Sequence, residues 1–184
     1  MINPAKKLLL FCIALCIYSR CCAQIEVARL QSKGFNAFGF GSVLSFGVPV
    51  TETGSVSIEG GFTYFTDGVN NAAIAPILGG FRQIITGNNY GWYVEPMVGY
   101  SYGGSDIQKT DANGYGLIKP NGDQIDLAMN GPTACINFGY LFEPGRHTQL
   151  NANLRYEHVF VPGDPSLNVF SLRITYNILF GRRD

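Results

Sequence analysis

The chain has 184 residues, enough for one domain and little more. Only 14% of them are charged, against about a quarter in an ordinary soluble domain, and the formal net charge is zero. This balance excludes a nucleic-acid partner, which would require a basic face, and leaves too little Lys and Glu to coat a soluble surface.

At the N-terminus, Lys6 and Lys7 precede an apolar run from Leu8 to Tyr18. Cys21 and Ala23 follow, spaced as the −3 and −1 positions of a cleavage site. The pattern predicts a secretory signal peptide over residues 1–23 and a mature chain, 24–184, that begins at Gln24. The run is too short for a membrane-spanning helix, which needs about 20 apolar residues. A lipoprotein signal using Cys21 or Cys22 is the alternative, but Arg20 stands where such a signal wants a small residue. Lys6, Lys7 and Arg20 fall in this segment, so the mature part carries 10 basic against 13 acidic residues, a net of −3. Cys12, Cys16, Cys21 and Cys22 lie in or beside the signal, and Cys135 alone lies well inside the mature chain. That is neither a disulfide framework nor a metal-ligand spacing, and no cofactor is implied.

From there alternation replaces any helical period. Ile25 to Gln31 reads as a first strand turned by Ser32-Lys33-Gly34. Phe35 to Val48 sets Phe38, Phe40, Leu44, Phe46 and Val48 against Ala37, Gly39, Gly41, Ser45 and Gly47. Thr53 to Phe65 sets Val56, Ile58, Phe62 and Tyr64 against Ser55, Ser57, Glu59, Gly61 and Thr63. Ala73 to Thr86 alternates less cleanly: Ile77, Phe81 and Ile85 oppose Gly80 and Arg82, with Leu78 and Ile84 out of phase. Tyr90 to Gly103 sets Trp92, Val94, Val98, Tyr100 and Tyr102 against Tyr93, Glu95, Met97, Gly99 and Ser101. Thr133 to Phe142, Gln149 to Phe160 and Val169 to Phe180 repeat the pattern. In the last, Phe170, Leu172, Ile174, Tyr176, Ile178 and Phe180 oppose Ser171, Arg173, Thr175 and Asn177. A strand within 104–130 is the alternative source of the eighth, but Ile25 to Gln31 makes short and long connections alternate.

The expected fold is therefore all-β: an antiparallel up-and-down transmembrane β-barrel of about eight strands. The facing follows from the side chains. The polar face is rich in Gly, Ser, Thr and Asn, which suit the cramped interior of a small barrel, and it lacks Lys. Aromatic residues crowd the strand ends. Tyr90, Trp92, Tyr140, Phe142, Tyr176 and Phe180 lie toward the short turns; Tyr64, Tyr102, Phe160 and Phe170 lie toward the long loops. These are the two interfacial girdles of a membrane barrel.

Three stretches carry a resemblance: Gly79-Gly80-Phe81-Arg82, Trp92-Tyr93-Val94-Glu95-Pro96 with Gly99-Tyr100, and Phe170-Ser171-Leu172-Arg173-Ile174-Thr175-Tyr176. Across its mature length the chain resembles the small outer-membrane β-barrel proteins of Gram-negative bacteria, particularly the outer membrane protein beta-barrel domain type common in Bacteroidetes. The resemblance implies residence in the cell outer membrane, contact with its lipid, and insertion by the barrel assembly machinery. The final strand is similar to the signal that machinery reads, except that Phe180 is followed by Gly181-Arg182-Arg183-Asp184.

The strand phases aim Glu59, Arg82, Glu95, Arg155, Glu157 and Arg173 inward. Buried charges must pair, so a structural charge network filling the lumen is expected; a selective pore is the alternative. A lipid-modifying enzyme would need a nucleophile and base near the outer rim. His158 is the histidine on the outer half of a strand, but its phase points it to lipid; His147 sits in a short turn. Residues 104–131 form the longest connection, with Asp106, Asp111, Asp123 and Asp126. Asp111-Ala112-Asn113-Gly114 lacks the distal glutamate of a calcium loop, and Asn121-Gly122 signals a turn in a hairpin from about Tyr115 to Leu127. The expectation is a monomeric, non-enzymatic membrane protein with a structural or surface-interaction role through residues 104–131. Kept beside it are a narrow pore, a lipid-modifying enzyme and a soluble periplasmic ligand-binding barrel.

Overall fold

The computed structural model describes residues 20–33, 35–86, 90–109, 116–120, 123–142 and 148–178. Eight strands follow one another in chain order: β1 (Arg20–Ser32), β2 (Phe35–Pro49), β3 (Gly54–Thr66), β4 (Asn71–Ile84), β5 (Gly91–Ser105), β6 (Gly131–Leu141), β7 (Thr148–Val159) and β8 (Leu167–Ile178). Each pairs antiparallel with the next, and β8 returns to pair with β1, closing the barrel. The first strand is thus the segment containing Ile25 to Gln31, and it begins at Arg20, upstream of Gln24. Most of the expected signal peptide lies outside the described residues. So do Gly87–Asn89, Asp111–Gly114, Asn121-Gly122, His147 and the end of the chain from Leu179.

Period-two alternation became barrel walls because each strand has one face that tolerates water poorly and one that needs it. In β6 the alternation is nearly complete: Thr133, Cys135 and Asn137 are buried while Ala134, Ile136 and Phe138 are exposed. Ile25, Phe40, Ile58, Ile77, Val98, Leu154 and Ile174 all point outward. Gln24, Glu26, Glu59, Glu95, Asn137, Arg155 and Arg173 point inward and are buried. A soluble barrel would have the reverse facing, so the soluble ligand-binding alternative fails here. In hydrocarbon an open edge would strand backbone N–H and C=O groups at several kcal/mol each, which closure of β8 onto β1 avoids.

The ladder is continuous between β1 and β2, from Arg20–Gly47 to Ser32–Phe35. Around β4 it is interrupted twice among the described residues. The β3–β4 pairs skip from Gly60–Ile77 to Thr63–Ile74, and the β4–β5 pairs skip from Gly80–Met97 to Gln83–Val94. Pro76 lies in the first gap and Pro96 opposite the second, and proline has no N–H for a ladder. The blurred alternation of β4 also has a packing cause: Leu78 turns inward and is buried against Met97 and Cys135.

The start of β1, the end of β8, the β2–β3 connection and the facing ends of β4, β5, β6 and β7 share one end of the barrel. There Gly91 takes φ 113°, and a Cβ on it would sit 2.0 Å from Thr86 Oγ1. Only glycine fits that close, left-handed turn. Trp92 stacks on Phe138 at 5.1 Å and meets Tyr140 edge-on at 5.2 Å, and Tyr140 meets Phe142 at 5.0 Å. At the other end are the tight β1–β2 turn, the β3–β4 turn, the long β5–β6 connection and the β7–β8 loop. The β3–β4 turn is held by Asp67, whose carboxylate accepts the N–H groups of Val69 and Asn70. The aromatic pairs at this end are Tyr100 with Tyr102 at 4.8 Å and Tyr156 with Phe170 at 5.0 Å.

Candidate functional site: a filled lumen beneath a tethered loop

All six charges assigned inward do face the lumen, in two groups. Arg155 on β7 and Arg173 on β8 both reach across to Glu59 on β3, at 2.6 Å and 2.8 Å. Each arginine has a second carboxylate: Arg155 bonds Glu157 at 2.6 Å, and Arg173 bonds Glu26 of β1. Two guanidinium groups are therefore held between three carboxylates, with Arg155 2% and Arg173 1% exposed. Remaining acceptor capacity is met by Ser101, which donates to Glu157 at 3.1 Å, and by Thr63, which donates to Glu26 at 3.4 Å.

The second group is Arg82 with Glu95, paired at 2.9 Å. Ser57 and Asn137 also donate to Glu95, at 2.6 Å and 3.1 Å, and the Arg82 guanidinium lies 4.5 Å from the centre of the Tyr93 ring. Glu26 was missed by the sequence reading, and among the described residues it makes the lumen set four carboxylates against three arginines. Its signal was weak because β1 carries a charge on each face: Glu26 inward, Arg29 outward.

Above the charges the lumen turns apolar, which the sequence reading of a small, polar inner face did not anticipate. Leu30, Phe35, Phe65, Val159, Leu167 and Val169 are buried together near the loop end. Leu127 and Met129, from the β5–β6 connection, pack onto them as a lid. Bonds between side chain and backbone fix that descent: Gly103 N–H donates to Asn130 Oδ1 at 2.6 Å, and Ser105 Oγ donates to the Leu127 carbonyl at 2.9 Å.

Farther out the connection pairs with itself. Leu127 N–H donates to Ile107 O, Lys109 N–H to Ile125 O and Ile125 N–H to Leu117 O, at 2.7–3.1 Å. This is the projecting hairpin expected near Tyr115 to Leu127. Lys109 ties it to Asp164 of the β7–β8 loop, and Asp106 ties it to the start of β4. Asp106 accepts both the backbone N–H and the side-chain amide of Asn71, which hold its carboxyl below the usual value of 3.8. A depressed folded value means the tether is intact above 3.8 and is lost only as the pH falls through the lower folded value. The Asn71 amide resonance is therefore expected to titrate with a midpoint below pH 3.8. A midpoint at or above it would mean that the bond is not formed.

The other candidates are less engaged. His158 faces outward on β7, half-buried, with Nδ1 2.8 Å from Asn168 Oδ1 and its ring 4.4 Å from Phe160. Cys135 is an inward, buried thiol whose Sγ lies 3.6 Å from Asn137 Oδ1. Among the described residues no group of His, Cys, Asp or Glu is placed to hold a metal ion.

A closed eight-stranded barrel, apolar outside and charged within, is an outer-membrane β-barrel of the smallest class. No protein-family model and no curated protein matches the chain. Solved structures do. Neisserial surface protein A (NspA) aligns with a TM-score of 0.63 at 13% identity, over 87% of this chain and 96% of that one. Ail, the attachment invasion locus protein of Yersinia pestis, aligns with a TM-score of 0.54 at 15% identity, over 87% and 97%. The same protein in complex with the heparin analogue sucrose octasulfate aligns at 0.53 and 16%. At these identities the likeness is one of fold.

Proposed function

We propose that this chain is a monomeric, non-enzymatic outer-membrane protein that acts through the outer face of its β5–β6 connection. The observation that carries this reading is the filled lumen. A cross-barrel charge cluster lies under an apolar lid, so the ends of the loops are the surface left for a partner. The charge of that surface narrows the partner. Among the described residues, Asp67, Asp106, Asp123, Asp126 and Asp164 stand there against Lys33, Lys109 and Lys119. Such a face favours a basic or neutral extracellular ligand over a polyanion of the kind bound to Ail. Insertion would pass through the barrel assembly machinery, with outer-membrane lipid around the wall.

The purified protein is expected to migrate differently on a detergent gel before and after boiling, and to fractionate with the outer membrane. It is expected to give no ion-sized conductance steps in planar bilayers. Regular steps would favour the pore reading over this one. On whole cells, replacing 116–120 and 123–126 by a short Gly-Ser link should abolish binding to basic surface ligands while leaving the gel shift intact. Retained binding would move the partner site elsewhere.

A further inference from the structure

Among the described strand residues the lumen charges are paired, but Arg29 faces the other way. Arg29 points outward from β1 and is exposed. Its partners are Asn36 Oδ1 at 2.9 Å and the Phe38 ring, 5.6 Å from its guanidinium carbon. Among the described outward residues of β1, β2, β7 and β8 there is no carboxylate. A guanidinium set in a lipid-facing wall without an anion of its own calls for one supplied by the membrane.

Two further features lie in register with it. Cross-strand pairing puts Arg29 beside Phe170, and Phe170 beside Tyr156. Those two aromatics border a mainly apolar trough of about 400 Å³ on the lipid face, lined also by Ile136, Phe138 and Leu154 and touched by Arg155 and Ser171. The neighbouring row toward the loops is polar on four consecutive strands: Asn36, Gln31, Asn168 and His158. Tyr156 Oη and His158 Nδ1 both converge on Asn168 Oδ1, at 2.7 Å and 2.8 Å, which fixes that row against the aromatic one. From the loop end inward the wall thus offers amides and an imidazole, then a cation, then an apolar trough.

We propose that this wall binds a phosphorylated, multiply acylated glycolipid of the outer leaflet. Arg29 would take the phosphate, whose oxygens match its planar fork of donors. The amide row would meet sugar hydroxyls, and an acyl chain would lie in the trough. The proposal rests on the outer-membrane reading above, because that reading places the loop end in the outer leaflet.

The test uses the full mature protein in mild detergent, with native mass spectrometry as the readout. The probes are diphosphorylated lipid A, the same lipid with its phosphates removed, and phosphatidylglycerol. The wild type is expected to retain the diphosphorylated lipid at least tenfold better than either of the others. Arg29→Gln should lose that preference. Leu154→Trp, which fills the trough, should weaken retention while leaving the preference for phosphate. Equal retention of phosphatidylglycerol, or an unchanged preference in Arg29→Gln, would overturn the proposal. If the variants fail to fold, the wild-type comparison of phosphorylated and dephosphorylated lipid decides it alone. Loss of the gel shift in the wild type would instead count against the outer-membrane reading itself.

Discussion

Replacing Glu59 with Gln is expected to destabilise the barrel by about 3–5 kcal/mol, the usual cost of removing one partner from a buried ion pair. The size follows from position. Glu59 is the carboxylate that both Arg155 and Arg173 reach across the lumen, and its loss leaves two buried guanidinium groups sharing Glu26 and Glu157. Urea unfolding in lipid vesicles gives the number. Trp92, the single tryptophan, reports it from the lipid-facing wall. The paired control is Glu95→Gln. Glu95 keeps Ser57 and Asn137 as donors, and its arginine is less deeply buried, so about 1–3 kcal/mol is expected there. If Glu59→Gln cost no more than Glu95→Gln, the cross-barrel cluster would not be holding the strands.

The second large effect tests the facing. Ile174 sits mid-strand on the lipid face of β8, opposite Ile25 on β1 and Ala152 on β7. Ile174→Arg should cost about 2–4 kcal/mol, the penalty for a cation near the bilayer midplane. Asn168→Arg, on the same strand and face but in the polar row near the loops, should cost only about 0–1 kcal/mol. Equal effects would mean that the wall does not cross hydrocarbon, or that its depth has been misread.

The strands were legible in the sequence because lipid and lumen impose opposite demands at a period of two. Wherever both were strong, as at Phe170, Leu172 and Ile174 against Ser171, Arg173 and Thr175, the face could be read residue by residue. The same logic placed the six lumen charges. It did not show which of them would meet, since Glu59 finds its partners four and five strands later in the chain. Three things were obscured for physical reasons. Glu26 was hidden by Arg29, which blurred the phase of β1. Leu78 looked out of phase because part of the lumen is apolar. The apolar lid was unreadable because Leu127 and Met129 belong to a connection, where alternation carries no information about depth.

The two interruptions beside β4 have a kinetic meaning. In a closed barrel an interior amide is shielded by neighbours on both sides, so exchange with solvent deuterium waits for the whole wall to open. Near Pro76 and Pro96 that shielding is broken on opposite sides of one strand. Deuterium should therefore enter first at Gly61 and Phe81, whose amides face those prolines, long before it reaches the uninterrupted β1–β2 ladder. The barrel would have a designated place to come apart: a seam along β4, remote in the wall from the junction where its first and last strands meet.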